Sequence, residues 1–221
     1  MNNAKQDPMP LLRDIGAVYF LDEKERQTGA WCRLTSMRVS PSYINIGGKI
    51  DRSPEVMDIL SQQIARKIKN SNIPCDLTVG AEKGSIRLSS HVAFRLGVDS
   101  IYLEKEKGGA KAEETDFALG RHFIKEEEKD LIIAEDLITR GTTIRKLLSA
   151  LRSSNVNIRA IALVINRSGL KEIDGIPIIS LVDLEPYDLS EEELREQFPQ
   201  ARIEEKPKYH WDELMAYNNS Y

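Results

Sequence analysis

Apolar positions along the chain follow two rhythms. Between residues 54 and 70, Val56, Ile59, Leu60, Ile64 and Ile68 recur at three- and four-residue spacing, which puts them on one face of a helix. Helical spacing also predicts helices from about Ser85 to Leu96 and from about Thr143 to Ser153, the second with Ile144, Leu147, Leu148 and Leu151 as its stripe. Between these segments lie short apolar runs: DLTV at 76–79, SIYL at 100–103, LIIA at 131–134, RAIALVI at 159–165 and IPIISLV at 176–182. Runs of this length read as strands, and their unbroken apolar character means burial on both faces. Strands that alternate with helices need crossover connections. The pattern therefore predicts an α/β fold with a mainly parallel central sheet flanked by helices.

The ends of the chain read differently. After a polar start at 1–10, expected to be disordered, PLLRDIGAV sets Leu11, Ile15 and Val18 at helical spacing behind a proline suited to a first turn. Residues 30–46 are β-leaning pieces broken by Ser and Pro. SEEELREQF predicts a helix with Ser190 and Glu193 as a capping box. The expected organisation is one domain over 11–198, with a small N-terminal part at 11–50 and a core at 54–184, followed by a peripheral tail at 199–221.

Composition narrows the classes of function. A chain of 221 residues, 41% hydrophobic, is long enough for one sizeable core. A net charge of -4 with both signs mixed lacks the basic excess that drives nucleic-acid binding. Cys32 and Cys75 stand alone, which excludes CxxC redox and zinc motifs. His91, His122 and His210 have no triad-like setting, and no run of 18 apolar residues is present. A soluble cytoplasmic protein with no membrane or nucleic-acid partner is the expectation.

In open α/β sheets ligands sit beyond the carboxyl ends of the strands, so the segment after LIIA carries the most information. EDLITRGTT runs from a strand end through Gly141 into a helix. Backbone amides there, with the hydroxyls of Thr139, Thr142 and Thr143, would receive a phosphate. The same string is equally an ordinary helix N-cap. Glu135 and Asp136 would repel a phosphate, so beside a nucleotide-like ligand they should face a sugar diol. A phosphate at one end and a diol at the other describe a ribose 5-phosphate.

The string resembles the phosphoribosyl pyrophosphate motif of the type I phosphoribosyltransferases. That resemblance implies that Glu135 and Asp136 hold the ribose hydroxyls and that Thr139, Arg140, Gly141, Thr142 and Thr143 hold the 5-phosphate. Arg140 stands where members mostly carry a small residue. Within the family, agreement is greatest with the orotate-using members. LTSMRVSPSYINIGG, VGAEKGSIRLSSHVAFRLG, INRSG and GIPIISLVDL match their segments in order across residues 11–184. The resemblance also implies an N-terminal hood.

VGAEKGS is similar to the family's pyrophosphate loop, with Lys83 and Gly84 as its contacts; read without the resemblance, it is a plain βα turn with a solvated lysine. Arg167 follows a strand and matches an arginine that grips the orotate carboxylate, or else it is a surface residue in a turn. Residues 104–123 are too polar and too long for an ordinary connection and should form a lid. Lys105 matches the family's lid lysine best, with Lys107 and Lys111 as looser matches. Val39 and Glu104 depart from positions that are often Lys and Arg.

The resemblance implies transfer of a phosphoribosyl group from phosphoribosyl pyrophosphate to orotate, with Lys105, Lys107 and Asp136 as catalytic residues. It also implies Mg2+ carried mainly by the diphosphate, with no metal site of the protein's own, and a homodimer. Two alternatives stay open: transfer to another nucleobase, and a non-catalytic phosphoribosyl pyrophosphate sensor that regulates a partner.

Overall fold

The computed structural model describes residues 7–106, 116–184 and 187–218. The chain opens with α1 (Pro8–Asp14), β1 (Val18–Phe20), β2 (Ala30–Arg33), β3 (Val39–Ser40), β4 (Ser42–Ile44), α2 (Lys49–Arg52) and α3 (Pro54–Asn70). It continues with β5 (Leu77–Ala81), α4 (Ile86–Leu96), β6 (Asp99–Lys105), β7 (Phe117–Ala118), β8 (Asp130–Ile138) and α5 (Thr142–Leu151). It closes with β9 (Asn157–Asn166), β10 (Glu172–Ile173), β11 (Ile176–Asp183), α6 (Glu191–Gln197), β12 (Arg202–Glu204) and α7 (Trp211–Asn218). Two compact units result: Met1–Pro8 with Asp51–Glu185, and Met9–Ile50 with Pro186–Tyr221.

The larger unit holds a seven-stranded sheet in the order β10-β11-β9-β8-β5-β6-β7. Its five central strands pair in parallel, and the short β7 and β10 add antiparallel edges. Side chains alternate across each strand. Leu131 and Ile133 join Val79, Ile161 and Leu163 in a core closed by Ile144, Leu147, Leu148 and Leu151 of α5. Ile132 and Ala134, buried at the alternate positions, belong to the opposite face, where α3 and α4 pack together and against the sheet. Each fully buried Leu or Ile contributes about 1.5–3 kcal/mol relative to exposure, so this two-sided burial stabilises the frame that carries the loops.

Several boundaries differ from expectation for physical reasons. Helix α1 ends at Asp14 because the Gly16 amide bonds back to the Arg13 carbonyl at 2.8 Å, and Val18 then enters a strand. Residues 8–10, expected to be disordered, are helical; residues 1–6 lie outside the described residues. The β10–β11 hairpin turns on Asp174 and Gly175, with φ of 52° and 80°, the Asp-Gly pair that two-residue hairpins favour. Among the described residues no helix is long and apolar enough to cross a membrane.

The smaller unit uses both ends of the chain. β12 pairs in parallel with β2, which pairs with β3, while β1 pairs with β4. Trp31 is fully buried, and its indole stacks at a tilt on Tyr187 and Phe198. The segment after residue 198, expected to be peripheral, supplies Trp211, Leu214 and Met215 to this core, and the Trp211 indole N–H donates to the Gly16 carbonyl at 2.9 Å. Burial of those apolar side chains overrides the polar look of the surrounding sequence.

Candidate active site

A cavity of about 650 Å3 lies in the larger unit at the carboxyl ends of β5, β6 and β8. Open α/β sheets bind ligands at such ends because loops and helix N-termini gather there. One wall is residues 81–85. A second is Lys105 with Phe117. The third runs from Leu137 to Ile144 and includes Lys146, and Glu135 adds its carboxyl group.

The third wall is the turn expected to hold a phosphate. Gly141 sits at the N-cap of α5 with φ of 74°, and among the described residues no side chain caps that helix. The positive φ favours glycine there, and a Cβ would stand 2.8 Å from the tip of Ile173, which would have to shift. The threonines thus are not the N-cap that a plain reading of the string allows. Thr139, Thr142 and Thr143 are exposed and line the cavity beside the first amides of α5. Arg145 Nη1 donates to the Arg140 carbonyl at 3.1 Å, and its Nε pairs with Asp174 at 3.6 Å, which fixes the turn from behind. The Arg140 side chain is exposed and lines the cavity.

The first wall folds back tightly on β5. A Cβ at Gly80 would lie 2.6 Å from the Ser85 carbonyl oxygen, so a side chain there would push the loop away. Beneath it the hydroxyls of Thr78, Ser89 and Ser100 bond to one another at 3.0–3.1 Å and seat α4 against the sheet. The Glu82–Lys83 peptide is cis. Glu82 Oε2 accepts the Lys105 amide at 2.9 Å, joining this loop to the end of β6. Lys83 and Lys105 are exposed on the cavity walls, and a Cβ at Gly84 would have ordinary room beside Asp136 Oδ2, at 3.7 Å. Packing therefore does not demand that glycine.

Glu135 and Asp136 lie within β8, one residue after another in a ladder that continues to Ile138. Glu135 is 7% exposed, and its Oε1 has no hydrogen-bond partner among the described residues. Burial pushes its carboxyl up to about 8; the Asp136 charge adds to the rise, and the Ser85 hydroxyl, the Ala81 amide and Lys105 oppose it. Ser85 therefore lies close to the carboxyl without completing a bond, since its Oγ is also unpartnered. Asp136 is raised as well, chiefly by loss of water, but it does not line the cavity.

The structure thus brings together Lys83, Gly84, Lys105, Glu135, Thr139, Arg140, Gly141, Thr142 and Thr143. Arg167 is half-buried just beyond β9, and its amide donates to the Ile138 carbonyl at 2.8 Å; it is not part of the cavity wall. Lys107 and Lys111 lie outside the described residues. Sequence reasoning missed Glu82, Ser85, Phe117 and Lys146. Lys146 was legible, because it stands three and four residues after Thr143 and Thr142 on the same helix face. Nothing in the string marks Ser85.

The comparisons agree with this architecture. The phosphoribosyl transferase domain matches residues 48–189. An orotate phosphoribosyltransferase of Bartonella tribocorum is 33% identical over 153 residues, covering 69% of this chain and 75% of that protein. The transcriptional regulator GfcR of Methanocaldococcus jannaschii is 25% identical over 169 residues, 76% of each. The crystal structure of orotate phosphoribosyltransferase from Aeropyrum pernix superposes with a TM-score of 0.60 at 18% identity, over 87% of this chain and 98% of that one. Motif, cavity and relatives converge, and the chain belongs to the type I phosphoribosyltransferase family.

Proposed function

We propose that the protein is an orotate phosphoribosyltransferase, which joins orotate to the ribose of phosphoribosyl pyrophosphate and yields orotidine 5-phosphate and pyrophosphate. The observation that carries this reading is the cavity itself: Lys83 and Lys105 on two walls, the uncapped α5 turn on the third and Glu135 beside them. Orotate as the base rests on the curated relatives that carry that name.

On this reading the α5 amides and the hydroxyls of Thr139, Thr142 and Thr143 bind the 5-phosphate, assisted by Arg140. Glu135 accepts hydrogen bonds from the ribose hydroxyls, which favour its ionised form and reverse the effect of burial. As the bond to C1 breaks, charge grows on the departing diphosphate, and Lys83 and Lys105 stabilise it there. Holding both partners in line accounts for the remaining acceleration, with no covalent intermediate.

Magnesium fits as a passenger on the diphosphate. A hard cation takes oxygen ligands, and the diphosphate would supply them. The ion would neutralise diphosphate charge. A homodimer in the cytoplasm completes the proposal.

Two observations favour other readings. Arg167, the residue expected to grip the orotate carboxylate, is absent from the cavity wall, which favours another nucleobase. The likeness to a transcriptional regulator favours a sensor that binds the sugar phosphate without turning it over. The test is product formation from phosphoribosyl pyrophosphate and magnesium with orotate, uracil, adenine and hypoxanthine in parallel. Turnover with orotate alone supports the proposal; turnover with a purine alone overturns it. Binding without turnover of any base selects the sensor. In the enzyme, Lys105→Ala should lower kcat at least roughly tenfold with little change in ligand affinity. Light scattering should give the mass of two chains.

A further inference from the structure

Ser85 precedes an amphipathic helix, and a serine there ordinarily turns its hydroxyl onto the first helical amides. Here it does not. It occupies the N-cap of α4 with φ of -112° and ψ of 4°, and no side-chain capping bond is made. The residue is fully buried, and its Oγ has no partner among the described residues. A buried hydroxyl with no partner costs about 1–3 kcal/mol, so a serine in this setting calls for an occupant. Ser85 is among the residues around the cavity, as is Glu135, whose Oε1 is likewise buried and unpartnered. The Ser85 hydroxyl lies close to the Glu135 carboxyl group and favours its ionised form.

A carboxylate only accepts hydrogen bonds, while a serine hydroxyl also donates one. A ligand oxygen held between them would donate to Glu135 and accept from Ser85. Ethers, fluorine and hydrogen fail one or both conditions; an alcohol meets both. We infer that Ser85 is a specificity-determining residue which, together with Glu135, reads one sugar hydroxyl of a 5-phosphorylated ribose as donor and acceptor at once. This rests on the phosphoribosyl reading of the cavity and deepens it. It also assigns a use to the missing cap: the hydroxyl is kept for the ligand.

The test compares binding of ribose 5-phosphate with its 2-deoxy and 3-deoxy analogues by calorimetry, in the full-length protein and in Ser85→Ala, with thermal melting alongside. The unaltered protein should prefer ribose 5-phosphate to one of the two deoxy analogues by at least roughly tenfold. Ser85→Ala should weaken ribose 5-phosphate about five- to tenfold, leave that analogue unchanged and keep the melting temperature. Ser85→Thr, which retains a hydroxyl, should restore part of the preference. Equal weakening of all three ligands, or a lower melting temperature with the preference intact, would give Ser85 a structural role and overturn the inference while leaving the phosphoribosyl reading in place. If the unaltered protein binds none of the three sugar phosphates, that reading falls and the inference falls with it.

Discussion

Helices α3 and α6 begin in one way, and α4 and α5 in another. Ser53 accepts the Val56 amide at 3.4 Å ahead of α3, with Pro54 as its first helical residue. Ser190 and Glu193 close a reciprocal box at α6, with bonds of 3.1 and 2.6 Å. The helices that start at the cavity have no such arrangement: Ser85 leaves α4 uncapped, and Gly141 has no side chain with which to cap α5. A serine cap is worth about 1 kcal/mol over alanine and a few tenths over glycine, so some of that stabilisation is forgone where amides and hydroxyls meet the cavity and retained where they do not. The contrast separates helix starts closed by their own side chains from helix starts that open on the cavity.

The comparison can be broken in order of expected effect. The largest concerns the buried carboxyl at the cavity. Glu135 binds its proton more tightly folded than unfolded, so the folded state holds more protons between the ordinary glutamate range and about 8. Stability should be fully present at low pH and fall as pH rises through that window, by up to about 1.4 kcal/mol per pH unit. Denaturant melts of Glu135→Gln should show a much flatter profile, and Asp136, raised in the same direction, should account for part of what slope remains. A profile unchanged by the substitution would mean that the carboxyl is not isolated from water.

Next comes the turn. Gly141→Val places a branched side chain at positive φ and against Ile173, costing about 1–3 kcal/mol of stability and displacing the turn. Sugar-phosphate affinity should fall roughly 100-fold, as measured by calorimetry. Smaller still, Ser190→Ala should cost about 1 kcal/mol in chemical denaturation with ligand affinity unchanged. Thr142→Ala should show the reverse, a stability change within about 0.5 kcal/mol and affinity reduced severalfold. If the threonine variant lost stability as the serine variant does, the two kinds of helix start would be one.

How much of this was legible depends on what periodicity reports. The apolar runs and helical stripes located the parallel strands and the three helices around them, because burial on a sheet face or helix face writes itself into spacing. Strand β8 was read short, ending at Ala134, since acids look like a loop; the ladder continues because Glu135 and Leu137 still pair opposite Leu163 and Ile165. The tight turn ahead of α5 was legible from Gly141 and its threonines. Ser85 was not, because a serine that caps a helix and one that declines to cap it have the same letter. The Trp211 segment was misjudged for a related reason: its few apolar residues sit among charges, and only the partner core shows that they are buried.

The pairing of β12 with β2 has a consequence for assembly. Residues 51–185 form a unit continuous in sequence and can condense on their own contacts, whereas the smaller unit must wait for strands from opposite ends of the chain. Closing so long a loop carries an entropic cost that grows only slowly with length, yet pairings of high sequence separation form late. During synthesis, Trp31 and Tyr19 therefore leave the ribosome long before the residues that cover them. Until the segment from Tyr187 to Met215 arrives, those two rings lack the residues that complete their core.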